Sequence, residues 1–388
     1  MGYRTYTCPV ASACGGCEWL AVPYPIQLER KQTHVEELLG PMASEDKALI
    51  EPIRGMDEPV GYRHKVTTPF APDERGRILF GLYRKGSHEI IACKHCLTED
   101  PQARKVLAEV VRVAEKLHIP AYNETKGTGV LRHATLRTGY ATDESLLVLV
   151  TNVPKLRDEA RVVHELHTAC PSVTSIVQNI NTQQTNAILG DQNHVLYGAG
   201  LMHDRLLGCT FEIGPTSFYQ TNPAQTEILY QAALEAAALT PGMSLLDAYC
   251  GTGTIGVCAA AATPGVRVTG VERVEDAVTR AAHNAAANGV NERCTFVAAD
   301  AAEWLGTTTP GDFDVIVMDP PRAGCSRDFL EGVAQSAPAR IIYISCNPTS
   351  QARDLGILRE HGYRIQNVLP VDMFPHTKHV ETVVSLVA

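Results

Sequence analysis

Ser244-Leu-Leu-Asp-Ala-Tyr-Cys-Gly-Thr-Gly-Thr-Ile-Gly256 is an apolar run, then a glycine turn, then the start of a helix-forming stretch. That order opens a doubly wound α/β sheet, in which ligands bind beyond the carboxyl ends of the parallel strands. Alternating segments continue to the last residue. Arg267–Glu272 reads as a strand, 274–288 as a helix ended by Gly289, and 295–298 as a strand ended by Asp300. Asp314–Met318 runs into Asp319-Pro-Pro-Arg-Ala-Gly324, and the β-branched run Ile341–Ile344 into Cys346-Asn-Pro348. A helix near 350–360 and strands at 363–368 and 380–387 complete seven strands, the last two spaced to pair with each other.

Gly251, Gly253 and Gly256 satisfy G-x-G-x-x-G, and Glu272 ends the second strand where a ribose diol would need a carboxylate. NAD and S-adenosylmethionine both carry adenosine, so this pair of signals fits either. Asp247, one turn ahead of the glycines, is more typical of the methionine-containing cofactor, whose ammonium group needs a nearby carboxylate or carbonyl.

Upstream, the pattern is α+β and rich in strands. A helix is expected over 25–39, stopped by Gly40-Pro41, and others over 103–117 and 159–170. Strands are expected at 65–70, 77–83, 129–137 and 145–150, and the passage into the next domain near 198–207. Cys8-x5-Cys14-Gly-Gly-Cys17 can turn three thiolates to one metal centre, with Cys93 or Cys96 as fourth ligand. Four thiolates suit a structural zinc or an iron–sulfur cluster.

At 388 residues, with 45% hydrophobic and 20% charged positions, the chain has the composition of a globular protein of two or three domains. No window reads as a membrane span, and Met1–Cys8 has no signal-like apolar region, so a cytoplasmic location is expected. Twelve cysteines in that compartment point to metal binding or catalysis rather than disulfides. The net charge of −9 hides an asymmetry: residues 1–200 carry 22 Lys+Arg against 23 Asp+Glu, and 201–388 carry 12 against 20. Between Arg54 and Arg137 the balance is positive, as phosphate binding requires locally.

Asp319-Pro-Pro-Arg-Ala-Gly, Ser345-Cys-Asn-Pro and Asp372-Met-Phe-Pro-His-Thr-x-His-x-Glu381, with Ser217-Phe-Tyr-Gln220-Thr-Asn222 before them, resemble the bacterial RNA uracil-5-methyltransferases. The resemblance implies a seven-stranded Rossmann-like S-adenosylmethionine methyltransferase domain over 205–388, preceded by an iron–sulfur and RNA-binding α+β region over 1–204. It implies Cys346 as the nucleophile, Glu381 as the base, and Gln220, Tyr249, Glu272 and Asp319 as cofactor-holding positions. Cys8, Cys14, Cys17 and Cys96 look like the [4Fe–4S] ligands of the members acting on 23S ribosomal RNA. Those cysteines set the chain apart from the transfer-RNA branch. A start close to Cys8 leaves no room for the N-terminal β-barrel of longer members. The resemblance then points to the short branch that modifies uridine 747, acting as a monomer on 23S rRNA without an obligate protein partner.

The chemistry suits the residues. A soft thiolate adding to carbon 6 makes carbon 5 of uracil nucleophilic, and a base must then remove the carbon-5 proton before the thiol leaves. His376 and His379 either line the RNA site or cap their loop. Two rival readings are a nicotinamide-dependent oxidoreductase, which leaves Cys346, Glu381 and the cysteine set unexplained, and an iron–sulfur RNA-binding sensor without turnover.

Overall fold

The protein was analysed as a computed structural model that describes residues 4–388; the first three positions of the 1–204 region and of Met1–Cys8 lie outside the described residues. Helices α1 (Ala11–Cys14) and α2 (Tyr24–Asp46) and strand β1 (Leu49–Ile50) come first. The strand-rich module follows: β2 (Lys65–Pro72), β3 (Ile78–Tyr83), β4 (Ile90–Ala92), α3 (Ala103–Lys116), β5 (Leu131–Thr138), β6 (Ser145–Thr151), α4 (Glu159–Ala169), β7 (Ser175–Ile180) and β8 (Gln192–Tyr197). Its seven strands lie in the order β4-β3-β2-β5-β6-β7-β8, with only β6 and β7 parallel. Helices α3 and α4 cover one face, where Leu107, Val110 and Leu166 meet Leu136, Leu147 and Ile176.

The stretch read as the passage between domains, 198–207, holds β9 (Met202–Leu206), which pairs with β10 (Cys209–Ile213) as an antiparallel hairpin. Burial alternates along it, with Met202, Asp204 and Leu206 pointing inward. Met202 and Ile213 pack on Leu146, Val148 and Val177, so the hairpin seals the second face of the strand-rich sheet.

The remaining elements are α5 (Pro223–Ala237), β11 (Ser244–Ala248), α6 (Thr254–Ala262), β12 (Arg267–Glu272), α7 (Glu275–Ala287), β13 (Cys294–Ala298) and α8 (Ala301–Leu305). They continue with β14 (Val315–Met318), α9 (Arg327–Gln335), β15 (Arg340–Ser345), α10 (Pro348–Glu360), β16 (Arg364–Val371) and β17 (Glu381–Val387). The sheet order is β1-β16-β17-β15-β14-β11-β12-β13. β17 runs antiparallel between β15 and β16, so the last two strands do pair. Helices sit on both faces, with Leu229 and Ala233 of α5 on one and Val35, Phe329 and Leu355 on the other.

The sheet has eight strands rather than seven because β1 adds to its edge, pairing Leu49 with Asn367 and Ile50 with Val368. Helix α2 likewise passes the expected stop, with Pro41 inside it. A helical proline costs a hydrogen bond and crowds the preceding turn. Here the lost bond is outweighed by burial of Leu39 and Ala43 and by Asp46, which accepts from Arg359 and from the Ile365 amide. Midway along α2, Lys31 donates to Asp372 at 2.5 Å, and both side chains are fully buried. Tyr24 donates to the second oxygen of Asp372 at 2.7 Å, and Lys31 also reaches the Phe374 carbonyl.

Removing one partner of a buried ion pair costs about 3–5 kcal/mol, because the other charge is left uncompensated. Lys31→Met is therefore expected to lower stability to denaturant by about that amount, and adding Asp372→Leu to recover much of it. Denaturant midpoints of the two variants check this; a Lys31→Met protein as stable as the unmodified one would refute it.

Candidate active site

The glycine turn works by close approach. Gly253 has φ 77° at the N-cap of α6, and a side chain on Gly256 would collide with Val268 and Asp247. The space left lets the Gly256 amide donate to Asp247 Oδ2 at 2.8 Å. Asp247 Oδ1 is buried with no partner, which suits an ammonium group placed at the crevice. Glu272 accepts from the Gly251 amide at 3.2 Å and the Val274 amide at 3.0 Å, which fixes its carboxylate beside the turn. Tyr249 takes a left-handed backbone, φ 63°, and its ring packs on Phe329 at 5.1 Å. These residues fit the adenosine and methionine ends of S-adenosylmethionine in donor type and position along the strand ends.

Cys346, Glu381 and the two aspartates meet through strand register. β11 and β14 lie side by side at the point where the strand order reverses, so Asp247 and Asp319 end neighbouring strands. β15 carries Ser345 opposite Thr382 of antiparallel β17. Cys346 thus follows the end of one strand where Glu381 begins the other. Burial, then Glu381 and Asp319, push the Cys346 thiol above its usual range, while Arg322 opposes them. Glu381, only 4% exposed, is pushed up to about 8 by burial and by Asp319. Asp319 keeps part of its surface on the crevice and is pushed up to about 7 by burial. Asp247 is also raised to about 7, by burial first and then by Asp319 and Glu272.

Pro348 is the first residue of α10, with Asn347 as N-cap accepting from the Thr349 amide, so Cys346 sits on a strand-to-helix corner and not on a loop-like strand end. A proline at N1 loses no hydrogen bond the helix would have made. The Asn347 amide and the Ser350 hydroxyl both donate to the Arg322 carbonyl, tying the corner to the Asp319–Gly324 loop.

Gln220 lines a narrow crevice with Lys65, Arg137 and Tyr219, facing the strand-rich module, and makes no hydrogen bond to Tyr249, Glu272 or Asp319. His376 is fully buried; its ring meets Gln27 Nε2 at 3.2 Å and the Pro59 carbonyl at 2.8 Å, so it caps its loop. His379 is partly open and approaches Arg322 at 3.4 Å. Two residues escaped the sequence. Tyr230 of α5 faces Asp319, Glu381 and Asp247 and is held protonated by burial and those charges. An aromatic in a helix reads as core, and nothing in its neighbours says otherwise. Arg322 stood inside a quoted motif, but only the fold shows it opposing the carboxylates at Cys346.

The N-terminal thiols form a second group. Cys14 ends α1 before Gly15 at φ 67°, and burial raises its thiol, with Cys96 and Cys8 adding to the effect. Cys17 is pushed up to about 12 by burial and next by Cys96, with Arg63 opposing. Cys93 donates to the His95 carbonyl at 3.2 Å, and the Cys96 sulfur lies 3.3 Å from the Thr98 hydroxyl. Cys8, Cys14, Cys17 and Cys96 are thiols, the donor type that a four-thiolate centre needs. Among the described residues, however, no three His, Cys, Asp or Glu side chains close on a common point as metal ligands.

Asp247, Asp319 and Glu381 all have folded-state values above the unfolded carboxyl range of about 3.9–4.3. The stability they contribute is complete below that range and is lost as pH rises through 7 to 8. The thermal midpoint of the cofactor-free protein is expected to fall from about pH 5 to about pH 8 and level off above that, and Asp319→Asn with Glu381→Gln to flatten the slope. A midpoint that rises over that range in the unmodified protein would contradict the assignment.

Residues 239–348 match a family model described as a methyltransferase domain. An uncharacterized RNA methyltransferase of Staphylococcus aureus (strain COL) is 41% identical, the match covering 97% of this chain and 83% of the relative. One from Bacillus cereus (strain ATCC 10987) is 39% identical over 97% of this chain and 82% of its own length. Among solved structures, the tRNA (uracil-54, C5)-methyltransferase of Pyrococcus abyssi in complex with S-adenosyl-L-homocysteine superposes with TM-score 0.80. It is 28% identical, over 96% of this chain and 86% of that one. With the glycine turn, the acid group and a matching fold across nearly its whole length, the chain belongs to the S-adenosylmethionine-dependent RNA methyltransferases.

Proposed function

We propose that the protein methylates carbon 5 of a uridine in 23S rRNA through a covalent adduct on Cys346. The observation that carries this is the β15–β17 register, which sets Cys346 beside Glu381 with Asp319 next to both. The Cys346 thiolate adds to carbon 6 of the uracil, and the electron pair moves to carbon 5. S-adenosylmethionine supplies the electrophilic methyl group. Glu381, as carboxylate, takes the proton left on carbon 5; the carbon 5–carbon 6 double bond re-forms and the sulfur departs as thiolate. In the cofactor-free protein burial holds Cys346 and Glu381 toward their protonated forms, and a cation entering the crevice favours the ionised ones. Gln220, Tyr249, Glu272 and Asp319 hold the cofactor, with Asp247 placed for its ammonium group, and Asp319 also orients the uracil edge or the cofactor side. Residues 205–388 carry this chemistry and 1–204 bind RNA.

Cys8, Cys14, Cys17 and Cys96 hold a [4Fe–4S] cluster in this reading. Cys14 and Cys17 are each close enough to Cys8 and Cys96 for those thiols to raise them, which supports the set. That set favours ribosomal over transfer RNA, and the resemblance makes uridine 747 the first nucleotide to test. No helix among the described residues is long and apolar enough to cross a membrane.

Glu381→Gln is expected to let Cys346 add and the methyl group transfer, then to stall before elimination. A general base commonly contributes about 10²–10⁴ in rate, enough for a labelled protein–RNA adduct to accumulate in one turnover. Nuclease digestion of the adduct formed on 23S rRNA transcripts locates the nucleotide, with uridine 747 expected. Free 5-methyluridine released at the unmodified rate would remove Glu381 from the role. Label at a different uridine would correct the target.

Anaerobically purified protein is expected to contain iron and sulfide, lost in Cys96→Ala and kept in Cys93→Ala. Stoichiometric zinc without iron would overturn the cluster.

A further inference from the structure

The strand-rich module carries a second concavity that methyl transfer leaves unused. It is a cleft of about 940 Å3 between the β3–β4 hairpin, the chain before β5 and the β7–β8 loop. Ligand pockets run from about 300 to 1,000 Å3. Tyr83, His88, Tyr122, Arg132 and His133 are among its walls, and Lys85 adds a cation at the rim. The Tyr83 and His88 rings lie 5.4 Å apart at 32°. The Arg132 guanidinium sits 4.7 Å over the Tyr122 ring.

Successive residues of a regular strand face opposite ways. Arg132 and His133 both line this cleft because the β5–β6 register shifts between Leu131 and His133, making Arg132 an inserted residue. Such a bulge re-aims a side chain and recurs at functional sites. Arg132 is 6% exposed and His133 8%. Nη1 of Arg132 donates to the Asn181 carbonyl at 2.7 Å and the Gln183 carbonyl at 2.6 Å, while Nε is buried without a partner. Nε2 of His133 meets the Tyr83 hydroxyl at 3.0 Å, and Nδ1 is buried without a partner. Burial and the charge of Arg132 push His133 down to about 4, so its ring is neutral near pH 7. Arg132 and His133 each open a small part of their surface to the cleft, so a flat ligand with polar atoms on its edge would lie against them.

Around the mouth, Arg84 pairs with Glu89 and His88 with Glu124. Cations and carboxylates therefore alternate, which disfavours a surface reading phosphates alone. Aromatic faces with hydrogen-bonding groups behind them are the means by which proteins hold an unstacked base of single-stranded RNA.

We propose that this cleft receives an unpaired base of the RNA substrate, separate from the target uridine, stacked on Tyr83 and His88 with its edge against Arg132 and His133. The proposal rests on RNA being the substrate, and its test does not depend on which uridine is methylated. Stacking tolerates any base, so fluorescein-labelled 12-nucleotide oligoadenylate and oligouridylate serve as probes, with affinity read by anisotropy. The unmodified protein is expected to bind at least one, and Tyr83→Leu and His88→Ala to weaken it about tenfold each. S-adenosylhomocysteine affinity is the control for folding and is expected not to change. His88 is exposed and its partners, Glu124 and the Tyr83 ring, lie at the cleft itself, so its variant keeps the test open if Tyr83→Leu misfolds. Ultraviolet cross-links are expected on peptides spanning 83–90 or 122–125. Unchanged affinity in His88→Ala together with no cross-link at those peptides would overturn the proposal, as would failure of the unmodified protein to bind either oligomer. Failure of the uridine reading shows separately, as absence of 5-methyluridine in transcripts.

Discussion

The active site depends on the buried pair between Lys31 and Asp372. Asp372 heads the loop that ends at Glu381, and every group around it holds that loop still. Its backbone amide donates to the Arg54 carbonyl, and its carbonyl accepts from Gln225 of α5. Asn222, the N-cap of α5, donates to the Met373 carbonyl, and Gln27 accepts from the His376 amide. Burial pushes the Lys31 ammonium down while Asp372 pulls it back up, so the pair persists only while both charges stay enclosed together. Loop position in turn fixes the first residue of β17, and that residue is Glu381.

The acid group beyond it follows from how strands are ordered. Parallel strands collect their carboxyl ends at one edge, and Asp247, Asp319 and Cys346 arrive there in that way. Glu381 reaches the same edge from the opposite direction, because β17 alone is antiparallel to its neighbours. Three ionisable acids and a thiol in one crevice cannot all be charged without a compensating cation, and burial shifts all four toward their protonated forms.

Much of this was legible in the chain. Strand-then-acid endings at Asp247, Glu272 and Asp319, and the corner at Cys346, are local patterns that survive in three dimensions. G-x-G-x-x-G alone fitted two adenosine cofactors; family membership, not the glycines, decides for S-adenosylmethionine. What stayed hidden was non-local. Tyr230 looks like any helix core residue until α5 packs against β14, β15 and β17. The added strand β1 is two residues long and carries no periodicity. Helix α2 ran past Gly40-Pro41 because its partner surface, not its own propensity, set its length. The β9–β10 hairpin was missed because its polar outward residues made it resemble a linker.

Lys31 and Asp372 stand 341 positions apart in the chain. At synthesis rates of about 5–20 residues per second, the ribosome needs roughly 20–70 s between them. For that time α2 has no sheet to lie on, and the apolar side formed by Val35, Leu39 and Ala43 stays uncovered. The strand-rich module can complete its own sheet well before then, since its pairings all fall within 65–197. The newborn protein therefore passes through a stage in which a finished module is flanked by an unplaced greasy helix. That interval is when a chaperone, or a neighbouring nascent chain, has access to it.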